Sequence, residues 1–186
     1  DIALFHQISL LSADAIVRGR ASLVMPINVW WTRDQFIGSE KELNKNLPQI
    51  VEKGVTEDML SEKQEAVRIW QEIVLLADSI QTGNPETVHY LRTSSRYGLL
   101  LFSIYQQAWT VMLKGYEGDQ TGNYDKVRIK EAIAAYDRLW TEYEQLKADN
   151  ADCATLYQPY GFNFSLPPLY HDNRGIKETV DRYRKL

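Results

Sequence analysis

The chain has 186 residues, 44% hydrophobic and 25% charged, so it can bury the core of one globular domain. Its formal net charge of −4 gives no electrostatic basis for binding nucleic acid or an anionic membrane. The single cysteine, Cys153, excludes an internal disulfide, and no apolar run is long enough to predict a transmembrane span.

The N-terminal segment predicts an amphipathic helix that ends near residue 22. Apolar residues recur there at spacings of four, three and four, which places them on one face: Leu4, Ile8, Leu11 and Ala15. The chain starts at Asp1 inside this pattern. We therefore expect residues 1–186 to form one helical domain that is a processed or excised part of a longer protein.

A short aromatic helix is predicted next, in the stretch VWWTRDQF at 29–36. Pro26 ends regular helix before it, Asn28 is a suitable N-cap, and Gly38 is a suitable end. Residues 39–55 are expected to be irregular or to form short helical pieces.

The tandem tryptophans of this stretch have two interpretations. On a helix, Trp30 and Trp31 point about 100° apart, so they cannot form one flat platform for a sugar ring. One indole would then pack between helices, and the other could meet a ligand or partner. The candidate binding residues here are Trp31, Arg33 and Asp34, since a guanidinium beside an indole can stack on it or pair with a carboxylate.

The first long helix is predicted from Thr56 to just before Gly83. Glu57 and Asp58 follow Thr56, where acidic side chains interact favourably with the positive end of the helix dipole. Apolar residues continue at helical spacing through Val67, Trp70, Ile73 or Val74, Ala77 and Ile80.

The second long helix begins at Asn84-Pro85-Glu86, which combines an N-cap, a proline at the first helical position and an early acid. It is predicted to run to about Gly115. Its stretch 97–113 is apolar on nearly every side, which is typical of a central helix. Gly98 and the pair Ser94-Ser95 are small, and they would allow another helix to approach closely.

The third long helix follows a turn-rich loop at 117–125. Its apolar residues recur at a period near 3.5: Ile129, Ala132 or Ile133, Tyr136, Leu139 or Trp140, Tyr143 and Leu146. Residues 149–172 contain three prolines and are predicted to be ordered but non-helical. This segment supplies the other candidate ligand-binding residues, Tyr157 and Tyr160.

A final helix is predicted at about 174–185, and no segment predicts a convincing strand. The sequence therefore predicts an all-α bundle of three long helices plus terminal and short helices, with an irregular, aromatic-rich segment before the last helix.

Two motifs carry weak signals for metal binding. Glu86 and His89 have the E-x-x-H spacing of di-iron bundles, but a second such pair is missing, and Glu86 also suits the first turn of a helix. The loop from Asp119 to Asp125 places oxygens at alternate positions but lacks the glycine and glutamate of an EF-hand. We assign no metal, no cofactor and no catalytic residue.

Three stretches resemble helical regions that follow the catalytic barrel in some bacterial glycoside hydrolases: SSRYGLLLFSIYQQAWTVMLKGYEGD, AIAAYDRLW and VDRYRKL. The resemblance implies a non-catalytic accessory domain of a larger carbohydrate-active enzyme, which supports the catalytic domain or mediates association. The barrel and its acid/base pair would lie in sequence outside this chain, so whether the chain belongs to an enzyme stays open.

This resemblance also implies partners and a compartment. The partner would be the remainder of a longer chain or another protein, with carbohydrate as a possible ligand. The compartment would be the periplasm or the exterior of the cell. Two alternatives stay open: a free-standing helical module that binds a protein or small ligand through an aromatic groove, and a metal-dependent bundle enzyme.

Overall fold

The computed structural model describes residues 2–20, 22–24, 47–81, 83–151 and 177–186. These residues form an all-α bundle, as the sequence predicts, and they contain no strand. Their six helices are α1 (Ile2–Arg20), α2 (47–52), α3 (Thr56–Ser79), α4 (Pro85–Thr121), α5 (Lys126–Asp149) and α6 (177–183). None of the helices in this part of the chain is both long and apolar enough to cross a membrane.

Helix α4 is the centre of the bundle, as its apolar stretch predicts. It packs between α3 and α5, while α1 lies mainly against α3. The close approach of α3 to α4 occurs at Gly98, over which the ring of Trp70 lies. Trp70 stacks in turn on Phe102, with ring centroids 5.4 Å apart, and Phe102 covers Gly19 of α1. Small residues thus allow three helices to share one aromatic cluster.

The helix α3 ends at Ser79, earlier than the predicted stop before Gly83. The guanidinium of Arg92, on α4, donates hydrogen bonds to the carbonyls of Ala77, Asp78 and Ile80 at 3.3, 3.1 and 2.6 Å. Carbonyls at a helix end need such donors, so a side chain from the next helix stabilises this end.

Helix α4 continues to Thr121, beyond the predicted end near Gly115. Gly115 and Gly118 lie inside the helix and face the rings of Tyr183 and Tyr124, where a side chain would collide. The residue that ends the helix is Gly122, with φ +72°. The prediction was wrong because glycines needed for packing look the same in sequence as a glycine that ends a helix.

The remaining boundaries differ by a few residues or lie outside the described part. Helix α1 ends at Arg20 rather than near residue 22, and Asp125 caps α5. Residues 29–36 and 152–172 lie outside the described residues, so the short aromatic helix and most of the irregular segment stay predictions.

Candidate functional site

The five ligand-binding residues predicted from the sequence all lie outside the described residues: Trp31, Arg33, Asp34, Tyr157 and Tyr160. The proposed aromatic surface therefore stays a prediction. Within the described residues, we consider three polar clusters and one exposed face of α1 as candidate sites.

The first cluster is a buried ion pair at the end of α1. Lys63 and Glu62 lie side by side on α3, with side chains only 2% and 4% exposed and their Nζ and Oε2 atoms 3.5 Å apart. The ammonium of Lys63 donates to the carbonyl of Arg18 at 2.5 Å, and the Glu62 carboxylate accepts from the amide of Leu23 at 2.5 Å. The pair therefore satisfies backbone groups where the chain leaves α1.

Burial lowers the pKa of Lys63 from its ordinary 10.5 to about 8, and the neighbouring Glu62 carboxylate partly opposes this effect. The ring of Trp109 lies on another side of the ammonium, with 5.7 Å between Nζ and the ring centroid. A lysine with a lowered pKa can act as a nucleophile or base, but this amine is enclosed by helices. Its contacts fit a cation that stabilises the C-terminus of α1.

Sequence reasoning missed this pair, although a signal for it exists. The apolar residues of α3 recur every seven residues, at Met59, Ala66 and Ile73. The helix turns the same face to the core about halfway between Met59 and Ala66, and residues 62 and 63 lie there. Charged residues at a position where the pattern requires an apolar one indicate a buried polar contact.

The second cluster uses the loop that weakly resembles a calcium site. The Asp119 carboxylate accepts from the hydroxyls of Tyr124 and Tyr183 at 2.6 and 2.8 Å, and from Arg182 at 3.0 Å. Asp125 accepts from the amide of Arg128 and so caps α5. Asp119 therefore joins α4 to α6.

The E-x-x-H pair lies on the first turn of α4, and both Glu86 and His89 are exposed. Asn84 caps this turn by accepting from the amides of Glu86 and Thr87. Within the residues that the structure describes, no group of three or more His, Cys, Asp or Glu side chains is arranged to hold a metal ion.

The third cluster joins the starts of α3 and α5 to α4. The Glu57 carboxylate contacts Lys114 at 2.5 Å and Arg128 at 2.8 Å, and Lys114 also contacts Glu117 at 2.8 Å. The hydrogen bonds from Arg128 and then Lys114 lower the pKa of Glu57 from 4.5 to about 2. The network therefore depends on a charged carboxylate.

We expect Glu57→Gln to weaken the acid sensitivity of the fold. The folded protein holds Glu57 ionised at a pH where the unfolded chain protonates it, so its contribution is complete above about pH 4.5. That contribution is lost as the pH falls towards about 2. Because the side chain is 62% exposed, the contribution is about 1 kcal/mol or less.

Urea unfolding at pH 5 and pH 3 measures this difference. The wild type should lose more free energy of unfolding between the two values than Glu57→Gln does. Glu131→Gln, an exposed change on α5, is the matched control and should keep the wild-type pH dependence. An equal loss of free energy of unfolding between pH 5 and pH 3 in the wild type and in Glu57→Gln would contradict the role given to the Glu57 carboxylate.

The exposed apolar face lies on α1, opposite the face that packs on α3. Leu10 is 60% exposed and Ile2 is 89% exposed. We call the residues of this side the outer face of α1: Ala3, His6, Leu10, Ala13 and Val17. The first four are exposed and Val17 is half-buried, while Ile8 and Ala15 on the other side are buried. An exposed stripe of this kind along a helix is typical of an interaction surface.

Comparison with known proteins found no matching family model, no matching curated protein and no matching solved structure.

Proposed function

We propose that this chain is a non-catalytic helical accessory domain of a larger carbohydrate-active enzyme, and that it mediates association through the outer face of α1. The enzyme class comes from the sequence resemblance to helical regions that follow bacterial glycoside hydrolase barrels. The observation that carries the association role is the exposed outer face of α1, because burial of a water-exposed side chain such as Leu10 against a partner is favourable.

The three polar clusters support the same proposal. Each one joins different parts of the bundle, with Glu62 and Lys63 at the end of α1, Asp119 between α4 and α6, and Glu57 between α3, α4 and α5. Charged groups used in this way hold a rigid bundle together. A rigid bundle presents α1 to a partner without a cost for ordering it first.

The enzyme context is tested by the coding sequence upstream of this chain. We expect an open reading frame that continues into a catalytic domain. A stop codon and a start signal directly before Asp1 would refute this part of the proposal.

Thiol labelling tests the association role. In a Cys153→Ser background, Leu10→Cys places a thiol on the outer face of α1, and Leu75→Cys places one on α3, where the leucine is 71% exposed. The labelling rate is compared between this chain, at a dilution where it is monomeric, and the longer gene product. The thiol at Leu10→Cys should react several-fold more slowly in the longer gene product. Labelling at Leu75→Cys should be unchanged, and equal rates at Leu10→Cys would count against the role.

The alternative, a free-standing module that binds a ligand through an aromatic groove, depends on residues outside the described part of the chain. It predicts that a ligand quenches or shifts the fluorescence of Trp31. Replacing Trp31 by phenylalanine should remove this response and leave the fold unchanged.

A further inference from the structure

We propose that the bundle carries a recognition slot for a basic segment centred on a tyrosine. The chain's own residues 182–184, at the end of α6, occupy this slot, and a segment of the same chemistry supplied in trans can displace them. We call it the tyrosine slot, and its residues are Gly115 and Asp119 on α4 and Asp137 on α5. The slot lies apart from the outer face of α1, so this inference goes beyond the association role.

The floor of the tyrosine slot is a glycine. Gly115 is buried inside α4, and the ring of Tyr183 lies directly over it. Two carbons of that ring are 2.5 and 2.6 Å from the place where a Cβ on Gly115 would be, and Tyr183 is only 4% exposed. Only a residue without a side chain leaves this space, so the slot is shaped for a flat ring.

Two carboxylates beside the ring match the charges of the segment that occupies the slot. Asp119 accepts hydrogen bonds from the hydroxyl of Tyr183 at 2.8 Å and from Arg182 at 3.0 Å. Asp137 accepts two hydrogen bonds from the guanidinium of Arg184, both at 2.7 Å. Paired hydrogen bonds of this kind give geometric specificity as well as charge attraction. The slot therefore recognises three successive side chains, a cation, a phenol and a second cation.

The slot can empty without leaving a buried charge unpaired. When α6 leaves, Asp119 keeps the hydrogen bond from the hydroxyl of Tyr124 at 2.6 Å, and the ring of Tyr124 still covers Gly118. The Asp137 side chain is 51% exposed, so water can replace its partner. Because the large cost of separating a buried ion pair does not arise, we expect α6 to open at a lower free energy than the central helices.

Helix α6 depends on the slot for its own order. It has seven residues, 177–183, and an isolated helix shorter than about 12 residues is marginal in water. Its buried side chains are Val180 and Tyr183. Arg182 is 66% exposed, so its ion pair with Asp119 is screened by solvent and holds the helix only weakly. A short element held in this way is suited to reversible docking.

Hydrogen exchange of the wild-type chain tests the separate opening of α6. The amides of residues 181–184 should exchange at least about a hundredfold faster than those of residues 101–112 in α4, because they need only local opening. Equal protection of the two segments would show that α6 opens only when the whole bundle unfolds, and would overturn the proposal. This measurement needs no variant.

Fluorescence anisotropy with a labelled peptide of residues 177–186 tests recognition in trans. The wild-type chain should bind this peptide weakly, because its own segment fills the slot. Tyr183→Ala in the chain should lower the dissociation constant at least about tenfold, since a slot that is free less than about a tenth of the time weakens apparent binding by that factor. Lys185→Ala, an exposed neighbour in the same segment, is the matched control and should bind as weakly as the wild type.

Gly115→Ala tests the slot itself. The added methyl takes the place of the ring, so this variant should release α6 as Tyr183→Ala does, yet bind the peptide no more tightly than the wild type. A peptide that carries Tyr183→Ala should not bind to any of these chains. Equal peptide affinity of the wild-type and Tyr183→Ala chains, or tight binding to Gly115→Ala, would overturn the proposal. Loss of the helical circular dichroism of the whole bundle in Tyr183→Ala would also overturn it, because α6 would then belong to the core.

Discussion

Replacing Lys63 by methionine should lower the free energy of unfolding by about 3 kcal/mol, because methionine removes the hydrogen bonds from Nζ and leaves the carbonyl of Arg18 and the carboxylate of Glu62 without this donor. Glu62 would keep its contact with the Leu23 amide but lose the adjacent ammonium, and the carbonyl of Arg18 would lose its donor. Chemical denaturation monitored by circular dichroism measures the loss.

The double variant Glu62→Gln with Lys63→Met separates charge from packing. A neutral amide can still accept from Leu23, and no unpaired carboxylate then remains buried, so part of the lost stability should return, while the carbonyl of Arg18 still lacks its donor. Arg68→Met, which breaks exposed pairs with Glu65 and Glu72 on the same helix, is the control and should leave the free energy of unfolding nearly unchanged. A double variant less stable than Lys63→Met would contradict the explanation.

The pH dependence of stability gives a second measurement of the same lysine. Its pKa is about 8 in the folded protein and 10.5 ordinarily, so the unfolded chain binds more protons between these values. The free energy of unfolding should therefore rise with pH in this window, by at most about 3 kcal/mol. Burial raises the pKa of Tyr136 to about 12, an effect that lowers stability above about pH 10. Comparison at pH 8 and 9.5 avoids that region, and Lys63→Met should show no rise.

The second large effect is expected at Gly98. An alanine Cβ there would overlap the ring of Trp70, with two of the ring carbons only 2.6 Å away. The rigid indole is held between Gly98 and the ring of Phe102, so it cannot move aside without opening the contact between α3 and α4. Overpacking of this kind should make Gly98→Ala less stable by about 1 to 3 kcal/mol.

A double-mutant cycle with Trp70→Leu tests whether the indole is the cause. The smaller side chain removes the collision, and alanine is favoured over glycine in a helix by about 1 kcal/mol. Gly98→Ala should therefore be neutral or stabilising in the Trp70→Leu background, although Trp70→Leu itself lowers stability. An equal loss in both backgrounds would show that the strain lies in the backbone.

Local patterns in the sequence predicted most of the helices. Asn84 caps α4 and Pro85 begins it, as expected, because capping involves residues that are adjacent in the chain. The central position of α4 also followed from its composition, since a helix that is apolar on all sides needs neighbours on several sides. The close approach expected at Gly98 is confirmed by the ring of Trp70.

The sites were less predictable, because each depends on residues that are far apart in the chain. Asp119 in the loop meets Tyr183, and Glu57 meets Arg128, and neither pairing has a local signal. The ligand-binding predictions at Trp31, Arg33, Asp34, Tyr157 and Tyr160 stay predictions.

The sequence by itself determined that this protein is all-α, where its long helices begin, and which helix lies at the centre. These features depend on helical periodicity and on capping, which act over a few residues. Only the tertiary structure decided that Gly115 and Gly118 receive aromatic rings, that Lys63 supports the end of α1, and that α1 leaves an apolar face exposed. Such features depend on which helices come together, and a periodic pattern shows that a face is apolar without showing what covers it.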